Sequence, residues 1–349
     1  METLADRLAL QTREAELYKP LDGDRVECFA CGHRCPISSG FAGVCKVRFN
    51  RGGKLYAPYG YVNAAHCDPI EKKPFFHVLP GARAFSFGML GCDLHCGYCQ
   101  NWVSSQALRD PRSALDFVAA APEELVALAL RQGAAAMVST YNEPLITAEW
   151  AVAIFRQAKA VGLITGLVSN GNATPEVLEY IRPWVDLYKV DLKSFDDRRY
   201  HELGGRIGPV LDSIRRIHEM GFWLEVVTLV VPGFNDSDAE LRQIAEFLSD
   251  ISPDIPWHVT AFRKDYKMQG PEDTPAETLL RAAATGRAAG LRYVYAGNLP
   301  GLAGLEDTRC PGCGDTPIER RGFRVLCNRL SAGKCPRCGC AIPGVWDRP

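Results

Sequence analysis

Several common features are missing from this chain of 349 residues, and each absence excludes a class of protein. No apolar run approaches the roughly 20 residues that a membrane-spanning helix needs. The first residues are charged and lack the apolar segment of a signal peptide, so we expect a cytoplasmic protein. The net charge is only −1, which gives no general attraction to nucleic acids or membranes. The G-x-G-x-x-G, P-loop and H-E-x-x-H motifs are also missing, so dehydrogenase, nucleotide hydrolase and zincin functions have no support.

Cysteine, in contrast, is abundant, with 14 residues. In a protein that is not secreted, so many cysteines indicate metal sites and not disulfides. Cys67 stands alone, and a small apolar filler is its simplest interpretation. The other cysteines form three groups: Cys28, Cys31, Cys35 and Cys45; Cys92, Cys96 and Cys99; and Cys310, Cys313, Cys327, Cys335, Cys338 and Cys340.

The middle group has the spacing C-x3-C-x2-C and follows a short β-like run that ends at Gly88. Cysteine thiolates hold iron–sulfur clusters, and a cubane has four irons that each need a ligand. Three cysteines therefore leave one iron free for a ligand that is not protein. The alternative is three buried structural thiols with a coincidental spacing, but clustered cysteines usually bind metal.

The C-terminal group contains two C-P-x-C-G turns, Cys310–Gly314 and Cys335–Gly339, separated by 21 residues. Four thiolates in two such turns predict a closed, structural zinc site of the ribbon type at Cys310, Cys313, Cys335 and Cys338. Rubredoxin-type iron is the main competitor, and Cys327 and Cys340 are expected to be spare. The basic residues near the turns predict a solvated face or a docking site for an acidic partner or RNA: Arg320, Arg321, Arg324, Arg329, Lys334 and Arg337.

The N-terminal group, Cys28-x2-Cys31-x3-Cys35-x9-Cys45, is spaced for one site with four ligands. Zinc and an auxiliary iron–sulfur cluster both accept four thiolates, so the metal stays open at this point, with a slight preference for zinc. His33 could replace one thiolate if the metal is zinc.

Between residues 83 and 297, short β-rich runs alternate with longer helical patterns, which predicts a parallel sheet covered by helices. The predicted strands are Arg83–Gly88, Ala135–Thr140, Ile164–Ser169, Val185–Asp191, Trp223–Val231, His258–Phe262 and Arg292–Ala296. In α/β barrels the chemistry gathers where such strands end. Several of these ends are polar, and together they could bind a zwitterion that carries a ribose: Asn142 and Glu143; Ser169 and Asn170; Lys189, Asp191 and Lys193.

With its three cysteines and Tyr98 before the last of them, the chain resembles the radical S-adenosylmethionine (SAM) family, in particular the branch of the pyruvate formate-lyase activating enzyme. The resemblance implies that SAM chelates the free iron of a 4Fe-4S cluster. Thr140–Pro144 occupies the place of a Gly-Gly-Glu-Pro motif, which implies that Glu143 binds the SAM ammonium group and that the backbone near Asn142 also contacts SAM. Tyr141 and Asn142 replace the two glycines of that motif. Further SAM contacts are implied for Ser169, Asn170, Asp191, Lys193 and His258, with Val231–Gly233 near the adenine.

Across residues 25–347 the chain is also similar to the radical SAM protein of the AmmeMemoRadiSam system, which implies partners of the MEMO and AMMECR types. The resemblance implies an α/β fold with a partial (β/α)6-type barrel at 81–300, an N-terminal Cys-rich module at 1–80 and a C-terminal zinc-ribbon-like module at 301–349. It also implies a low-potential electron donor of the flavodoxin or ferredoxin type. The charged residues Glu71, Lys72, His77, Asp265 and Tyr266 are candidates for substrate contact, and the substrate is not identified.

Two other functions remain open at this stage. The first is an activating enzyme that generates a glycyl radical on a partner protein, which the local similarity to the pyruvate formate-lyase branch favours. The second is an RNA-modifying or RNA-binding protein that uses the basic residues of the C-terminal module, which the neutral net charge disfavours.

Overall fold

The first part of the chain is a Cys-rich module of short strands that is anchored to the rest of the protein by a buried ion pair. A computed structural model describes residues 3–113, 115–299 and 304–348. Arg48 donates from Nη1 and Nη2 to the two carboxylate oxygens of Glu149, at 2.8 and 2.7 Å. The module contains α1 (Leu4–Leu10), β1 (Thr12–Glu14), β2 (Tyr18–Pro20), β3 (Val26–Cys28), β4 (Pro36–Ile37), β5 (Phe49–Arg51), β6 (Lys54–Pro58) and β7 (Tyr61–Val62). Strands β1 to β6 form two three-stranded sheets, β1-β6-β5 and β2-β3-β4.

The centre of the protein is one eight-stranded sheet. Its strands are β8 (Ala64–Pro69), β9 (Arg83–Gly88), β11 (Ala134–Ser139), β12 (Ile164–Ser169), β13 (Leu187–Asp191), β14 (Trp223–Val230), β15 (Trp257–Ala261) and β16 (Val294–Gly297), while the short β10 (Val118–Ala119) pairs with β7 outside the sheet. The strand order is β16-β15-β14-β13-β12-β11-β9-β8. Strand β9 and strands β11 to β16 run parallel, and β8 pairs with β9 in the antiparallel direction.

Helices follow most of the parallel strands, as the alternating pattern predicts. Thr174 shows how one begins: its side chain accepts from the backbone N–H of Val177 at 3.1 Å, and Pro175 fills the first helical position. The helices are α2 (Trp102–Ser105), α3 (Pro122–Arg131), α4 (Ala148–Ala160), α5 (Pro175–Ile181), α6 (Asp197–Glu202), α7 (Ile207–Glu219), α8 (Asp238–Ile251) and α9 (Ala276–Ala288), with 3₁₀ turns at Ile70–Lys72, Pro144–Thr147 and Arg182–Trp184. None of the helices in the described part of the chain has the length and apolar character that a membrane crossing requires.

The mixed α/β class is confirmed, and each of the seven predicted runs overlaps a strand of the parallel sheet. The sheet has one further strand, β8, which lies within the predicted N-terminal module of residues 1–80 but pairs with β9. The predicted boundary between residues 300 and 301 lies outside the described residues.

The two ends of the parallel strands carry different parts of the chain. Pro69 pairs with Arg83, the first residue of β9, so the connection between them lies at the amino-terminal ends of the strands. The C-terminal module packs at that end, where Arg320 donates to the backbone carbonyl of Phe76 at 2.7 Å. Its strands are β17 (Ile318–Arg321) and β18 (Arg324–Asn328), which form an antiparallel hairpin. The loop with the middle cysteines follows β9 and lies at the opposite, carboxyl-terminal end.

Candidate functional site

The cysteine loop leaves β9 through two glycines that have no room for a side chain. A Cβ on Gly88 would lie 2.6 Å from the carbonyl oxygen of Thr140. Gly91 has φ +98°, and a Cβ there would lie 2.8 Å from a methyl group of Val47. Backbone at this φ strongly favours glycine. The loop is therefore pressed between β11 on one side and the N-terminal module on the other.

Cys92, Cys96 and Cys99 lie on this loop, with Cys96 buried and the other two partly exposed. The backbone N–H of Leu94 points at the Cys92 sulfur at 3.4 Å, and the Cys99 sulfur lies 3.2 Å from the Ser105 hydroxyl. Burial raises the pKa of Cys96 to about 12, so its thiolate needs a nearby positive charge such as a metal centre. In a cubane each thiolate binds a different iron, so one buried and two partly exposed thiols on a loop at the mouth of a sheet fit this group.

Tyr98 packs beside the triad instead of pointing into solvent. Its ring contacts Phe234 edge-on, with the ring centres 5.7 Å apart, and its hydroxyl is buried without a hydrogen-bond partner in the described residues. Burial, and next the nearby Cys96, raises the pKa of Tyr98 well above its usual range. The neutral phenol therefore has a free donor next to the cysteine loop.

Glu143 follows β11 and is held by the end of β12. The Ser169 hydroxyl and the Asn170 backbone N–H donate to its two carboxylate oxygens at 2.7 and 2.8 Å. Burial, and next the charge of Asp93, raises the pKa of Glu143 to about 8. A buried carboxylate with this pKa is poised to accept a cationic group.

Asn142 is used within the protein. Its Oδ1 accepts from the backbone N–H of Met89 at 3.0 Å, which ties the loop after β11 to the loop after β9. The preceding Tyr141 has φ +72°, a conformation that glycine adopts more readily. This backbone conformation accounts for the glycine that the resembled motif carries at the same position.

Asp93 connects the cysteine loop to the sheet, and sequence reasoning missed it. Its two carboxylate oxygens accept from the side-chain amides of Asn170 and Asn172 at 2.7 and 2.8 Å. Nε2 of His33, from the N-terminal module, lies 4.0 Å from the same carboxylate. The signals that could have revealed it are the single acid directly after the first cysteine of the triad and the two asparagines that follow the predicted strand ending at Ser169.

Lys189, Asp191 and Lys193 converge at the end of β13. Lys189 donates to Asp191, and the Lys193 ammonium group lies 3.6 Å from the other Asp191 oxygen. Burial alone would lower the pKa of Lys193, but Asp191 and then Cys96 outweigh it and hold that pKa well above its usual range. Lys193 therefore stays charged near the Cys96 sulfur.

His258 is placed away from the cysteine loop, so the structure does not support its expected role as a SAM contact. It is the second residue of β15, its Nε2 lies 2.7 Å from Glu225, and its ring packs on Phe76. Phe76 belongs to the connection at the amino-terminal ends of the strands. The identity of the strand was correct, but a histidine near its beginning does not reach the mouth.

Two of the expected substrate contacts, Glu71 and His77, lie in the same amino-terminal cluster. His77 lies 2.6 Å from the Tyr295 hydroxyl, and burial lowers its pKa to about 4. Glu71 faces the buried Arg320 at 3.5 Å. Lys72 lies in the same connection and pairs with Asp68. Glu71 and His77 therefore join the C-terminal module to the sheet, and none of the three residues lines the site.

The other two expected substrate contacts, Asp265 and Tyr266, do lie beside the cysteine loop. The backbone N–H groups of Lys267 and Met268 both donate to the carbonyl oxygen of Gly97 at 2.9 Å. The Tyr266 ring stacks on Trp102 with the ring centres 5.0 Å apart. This segment therefore packs against the cysteine loop at Gly97 and against Trp102.

The N-terminal cysteines come together next to this loop. Cys28, Cys31 and Cys45 are buried and Cys35 is partly exposed. Burial raises the pKa of Cys45 to about 11, although the backbone N–H groups of Val47 and Arg48 point at its sulfur. Four thiols in this environment fit a four-ligand metal site.

The C-terminal cysteines form a tighter set. Sulfur distances are 3.5 Å between Cys310 and Cys338 and 3.7 Å between Cys313 and Cys335. Within residues 3–113, 115–299 and 304–348, these four are the one set of three or more candidate ligands whose atoms all lie within 4.8 Å. Tetrahedral zinc with bonds of about 2.3 Å places its sulfurs about 3.8 Å apart, so the set fits one ion.

One residue of the basic surface predicted for the C-terminal module is buried. Arg320 is 5% exposed and donates to Thr308 at 2.9 Å, whereas Arg321, Arg324 and Arg329 are exposed. A buried arginine holds the module to the sheet and is not available to a phosphate group.

Three comparisons describe the relatives of this chain. Residues 88–248 match the model of the Radical SAM superfamily. An uncharacterized protein of Methanocaldococcus jannaschii is 35% identical over 331 residues, which cover 94% of this chain and 98% of that protein. The pyruvate formate-lyase 1-activating enzyme of Escherichia coli K12 is 24% identical over 218 residues, covering 58% of this chain and 87% of that enzyme. A solved radical SAM methyltransferase from Sphaerobacter thermophilus is 17% identical, with a TM-score of 0.49 over 62% of this chain and 67% of that one.

The superfamily match begins at Gly88, immediately before the triad loop. It runs on through the polar ends of β11, β12 and β13, the part of the sheet to which Asp93 ties that loop. The family model thus relates residues 88–248 to the radical SAM superfamily, and the chain is similar to the pyruvate formate-lyase activating enzymes.

Proposed function

We propose that this protein is an enzyme that holds a 4Fe-4S cluster on Cys92, Cys96 and Cys99 and cleaves SAM at that cluster. The observation that carries the proposal is the link through Asp93. Its carboxylate joins the cysteine loop to Asn170, beside the carboxylate of Glu143. A cluster ligand set and a cation-binding carboxylate are thereby held next to each other.

Different residues around the triad bind different groups of SAM. When bound, the cluster supplies the electron that splits SAM into methionine and a 5′-deoxyadenosyl radical, which takes a hydrogen atom from the substrate. Glu143 accepts from the SAM amino group, and Ser169 and Asn170 orient its carboxylate. Asp191 and Lys193 supply an acceptor and a cation for the ribose hydroxyls and the methionine carboxylate. Tyr98 and its neighbours keep water away from the triad.

For the C-terminal module we propose a structural zinc ion on Cys310, Cys313, Cys335 and Cys338, in a zinc-ribbon-like fold. The sulfur distances of 3.5 and 3.7 Å support it. Rubredoxin-type iron has the same four thiolate ligands and is the alternative.

The partners follow from the chemistry and from the resemblance. An electron at low potential has to come from outside the chain, so we propose a donor of the flavodoxin or ferredoxin type. Placement in the AmmeMemoRadiSam system, with MEMO- and AMMECR-type proteins as partners, rests on similarity across residues 25–347 and is part of the proposal. The substrate would enter beside Asp265 and Tyr266, the expected contacts that lie next to the cysteine loop.

A second candidate function is the activation of a glycyl radical enzyme. The 24% identity to the Escherichia coli activating enzyme over 87% of its length supports it. In that case the hydrogen atom would come from a backbone glycine of a partner protein. Neighbouring genes separate the two: a glycyl radical enzyme nearby supports activation, and MEMO- and AMMECR-like genes support the first proposal.

The test uses protein purified without oxygen, reconstituted with iron and sulfide, reduced with dithionite and given SAM. We expect 5′-deoxyadenosine from the wild type. Cys96→Ala should abolish the product, because one lost ligand destroys the cluster, while the sheet still folds. Cys67→Ala is the matched control, since Cys67 lies in β8 outside the three cysteine groups. Product from Cys96→Ala, or none from a loaded and reduced wild-type cluster, would contradict the proposal.

A further inference from the structure

We infer that Tyr141 and Lys73, together with Ser86 and His66, form a subsite that binds a carboxylate group of the substrate. The four residues come from β8, from β9, from the connection between these strands and from the loop after β11. The inference deepens the proposed function and rests on it. It names the substrate class as a small organic acid.

Tyr141 stands where the backbone favours glycine. Its φ of +72° costs free energy for any residue that has a side chain. Gly88 provides the room for this side chain, because a Cβ on Gly88 would lie 2.9 Å from Cβ and 3.0 Å from Cδ2 of Tyr141. The Tyr141 ring therefore lies directly against the end of β9. Strain of this kind is typical of positions where the side chain has a function.

The ring lies on the face of the sheet that is opposite to the helices. Successive residues of a strand point to opposite faces, and the Phe87 ring packs on Phe155 of α4 with the ring centres 5.8 Å apart. Ser86 therefore belongs to the other face. His66 pairs directly with Ser86, and its ring lies edge-on to that of Tyr141 at 5.8 Å between centres. Ser86, His66 and Tyr141 thus share this face.

Lys73 lies behind the phenol group. Its Nζ donates to the Tyr141 hydroxyl oxygen at 3.2 Å and to Asp68 at 3.1 Å, and the residue is only 4% exposed. A phenol oxygen that accepts from a cation has a more polarised O–H, which makes it a stronger donor. Among the described residues, no acceptor lies within hydrogen-bond geometry of this O–H. The phenolic hydrogen is therefore free for a ligand.

Ser86 adds a second unused hydroxyl group. The residue is fully buried, and within the part of the chain that the structure describes its Oγ makes no hydrogen bond. Burial raises the pKa of Tyr141, and the Ser86 hydroxyl beside the phenol opposes this rise. Buried polar groups are nearly always hydrogen-bonded, so an unpartnered hydroxyl next to a second free donor indicates a ligand.

The charge of the cluster matches one carboxylate. Lys72 and Lys73 each donate to one oxygen of Asp68 at 3.1 Å. Burial would raise the pKa of Asp68, but the two lysines outweigh it and lower that pKa. The carboxylate therefore stays ionised, and two cations against one anion leave one positive charge. A phosphate group carries nearly two negative charges and fits this balance less well.

The subsite is open to water and adjacent to the proposed SAM site. His66 is exposed and Tyr141 is half-buried, so a ligand can reach them. Tyr141 precedes Glu143 by two residues, and Gly88 begins the loop that carries the triad. An acid held by the phenol therefore has its carbon atoms beside the residues proposed to hold SAM. A backbone glycine of a partner protein has no carboxylate, so the subsite favours the first proposal over glycyl radical formation.

Saturation-transfer NMR with propionate, and with propionamide as its neutral analogue, tests the subsite. The protein is the reconstituted wild type with SAM and an unreduced cluster, so that SAM is not cleaved. We expect propionate to bind about tenfold more tightly than propionamide, because hydrogen bonds to a charged group are the stronger ones. Equal binding of the two compounds, or none of propionate, would overturn the inference. Displacement of propionate by SAM would also overturn it, because the site would then hold the carboxylate of SAM itself.

A variant tests the role of the phenol group. Tyr141→Phe keeps the ring and its contacts but lacks the hydroxyl, so it should bind propionate about tenfold more weakly. Tyr18→Phe is the matched control, since its hydroxyl donates to Glu14 at an exposed site of the N-terminal module, and it should bind propionate like the wild type. Circular dichroism and iron content show whether each variant is folded and loaded.

Unchanged propionate affinity in Tyr141→Phe would overturn the inference. A wild type that forms 5′-deoxyadenosine but does not bind propionate would contradict the subsite alone. A wild type that binds propionate but forms no 5′-deoxyadenosine would instead contradict the proposed function.

Discussion

Glu143 is prepared as an acceptor before any ligand is present. Two donors from the end of β12 hold its oxygens, and burial together with Asp93 raises its pKa to about 8. At neutral pH the ligand-free carboxyl group therefore carries a proton for much of the time. An amino group that approaches it would favour the ionised form, so ligand binding and ionisation are coupled.

This coupling predicts a pH dependence of stability. The pKa of Glu143 in the folded protein, about 8, lies above its ordinary value of 4.5. Between these pH values the unfolded chain binds fewer protons, so the free energy of unfolding should fall as the pH rises. Glu143→Gln cannot ionise and should show a flatter profile, measured by urea unfolding of ligand-free protein across that range. The exposed Glu246→Gln should keep the wild-type slope, and equal slopes in all three proteins would contradict the assignment.

The same substitution should weaken SAM binding. A hydrogen bond to a charged group contributes about 1.5–3 kcal/mol, so Glu143→Gln should raise the Kd for SAM by about tenfold or more. Equilibrium dialysis against labelled SAM at constant pH measures the change. Unaltered affinity would place the SAM amino group elsewhere.

At the scale of elements, the loop after β9 depends on its contact with the N-terminal module. Gly91 combines φ +98° with a close approach to Val47, so alanine there would be strained in two ways. Gly97, on the same loop, has open space where its Cβ would lie. The two positions therefore form a matched pair.

Gly91→Ala should destabilise the protein by about 1–3 kcal/mol and lower the iron content, because the strained loop can no longer present Cys92 correctly. Gly97→Ala should change neither quantity appreciably. Thermal unfolding and iron analysis after identical reconstitution measure both effects. Full iron loading of Gly91→Ala would show that the contact with the N-terminal module does not position the triad.

The strands themselves show how far sequence patterns reach. The run at residues 258–262 was correctly assigned to a strand, observed as Trp257–Ala261. The sequence did not reveal that His258 lies near the beginning of that strand. Its position depends on where the strand begins and on how the strand pairs with β14. A pattern of apolar residues identifies a strand but does not say which of its side chains reach the mouth of the sheet.

At the scale of the whole molecule, the C-terminal module is held to the sheet by buried contacts. Arg320 donates to the Phe76 carbonyl, and the backbone N–H of Val345 donates to that of His77 at 2.8 Å. This end of the sheet is far along the strands from the cysteine loop. Loss of the C-terminal metal should therefore affect stability more than SAM cleavage.

Cys313→Ala should cost one metal ion per chain and the local order of the C-terminal module, because metal binding supplies much of the folding free energy of such small sites. Most SAM cleavage should remain. Cys327→Ala, in β18 outside the set of four, should keep the ion. Zinc analysis, limited proteolysis and 5′-deoxyadenosine formation measure these effects. Failure of Cys313→Ala to assemble the SAM-binding cluster would show that the two parts of the chain are coupled.

The sequence by itself determined the class of chemistry and the class of fold. The spacing of Cys92, Cys96 and Cys99 depends only on neighbouring residues, and so does the alternation of strands and helices. Only the tertiary structure decided which distant groups meet: Asp93 with Asn170 and Asn172, His258 with Glu225, and Cys45 with Gly91. These contacts arise from strand register and from the packing of separate segments, and neither leaves a periodic signal in the amino-acid sequence.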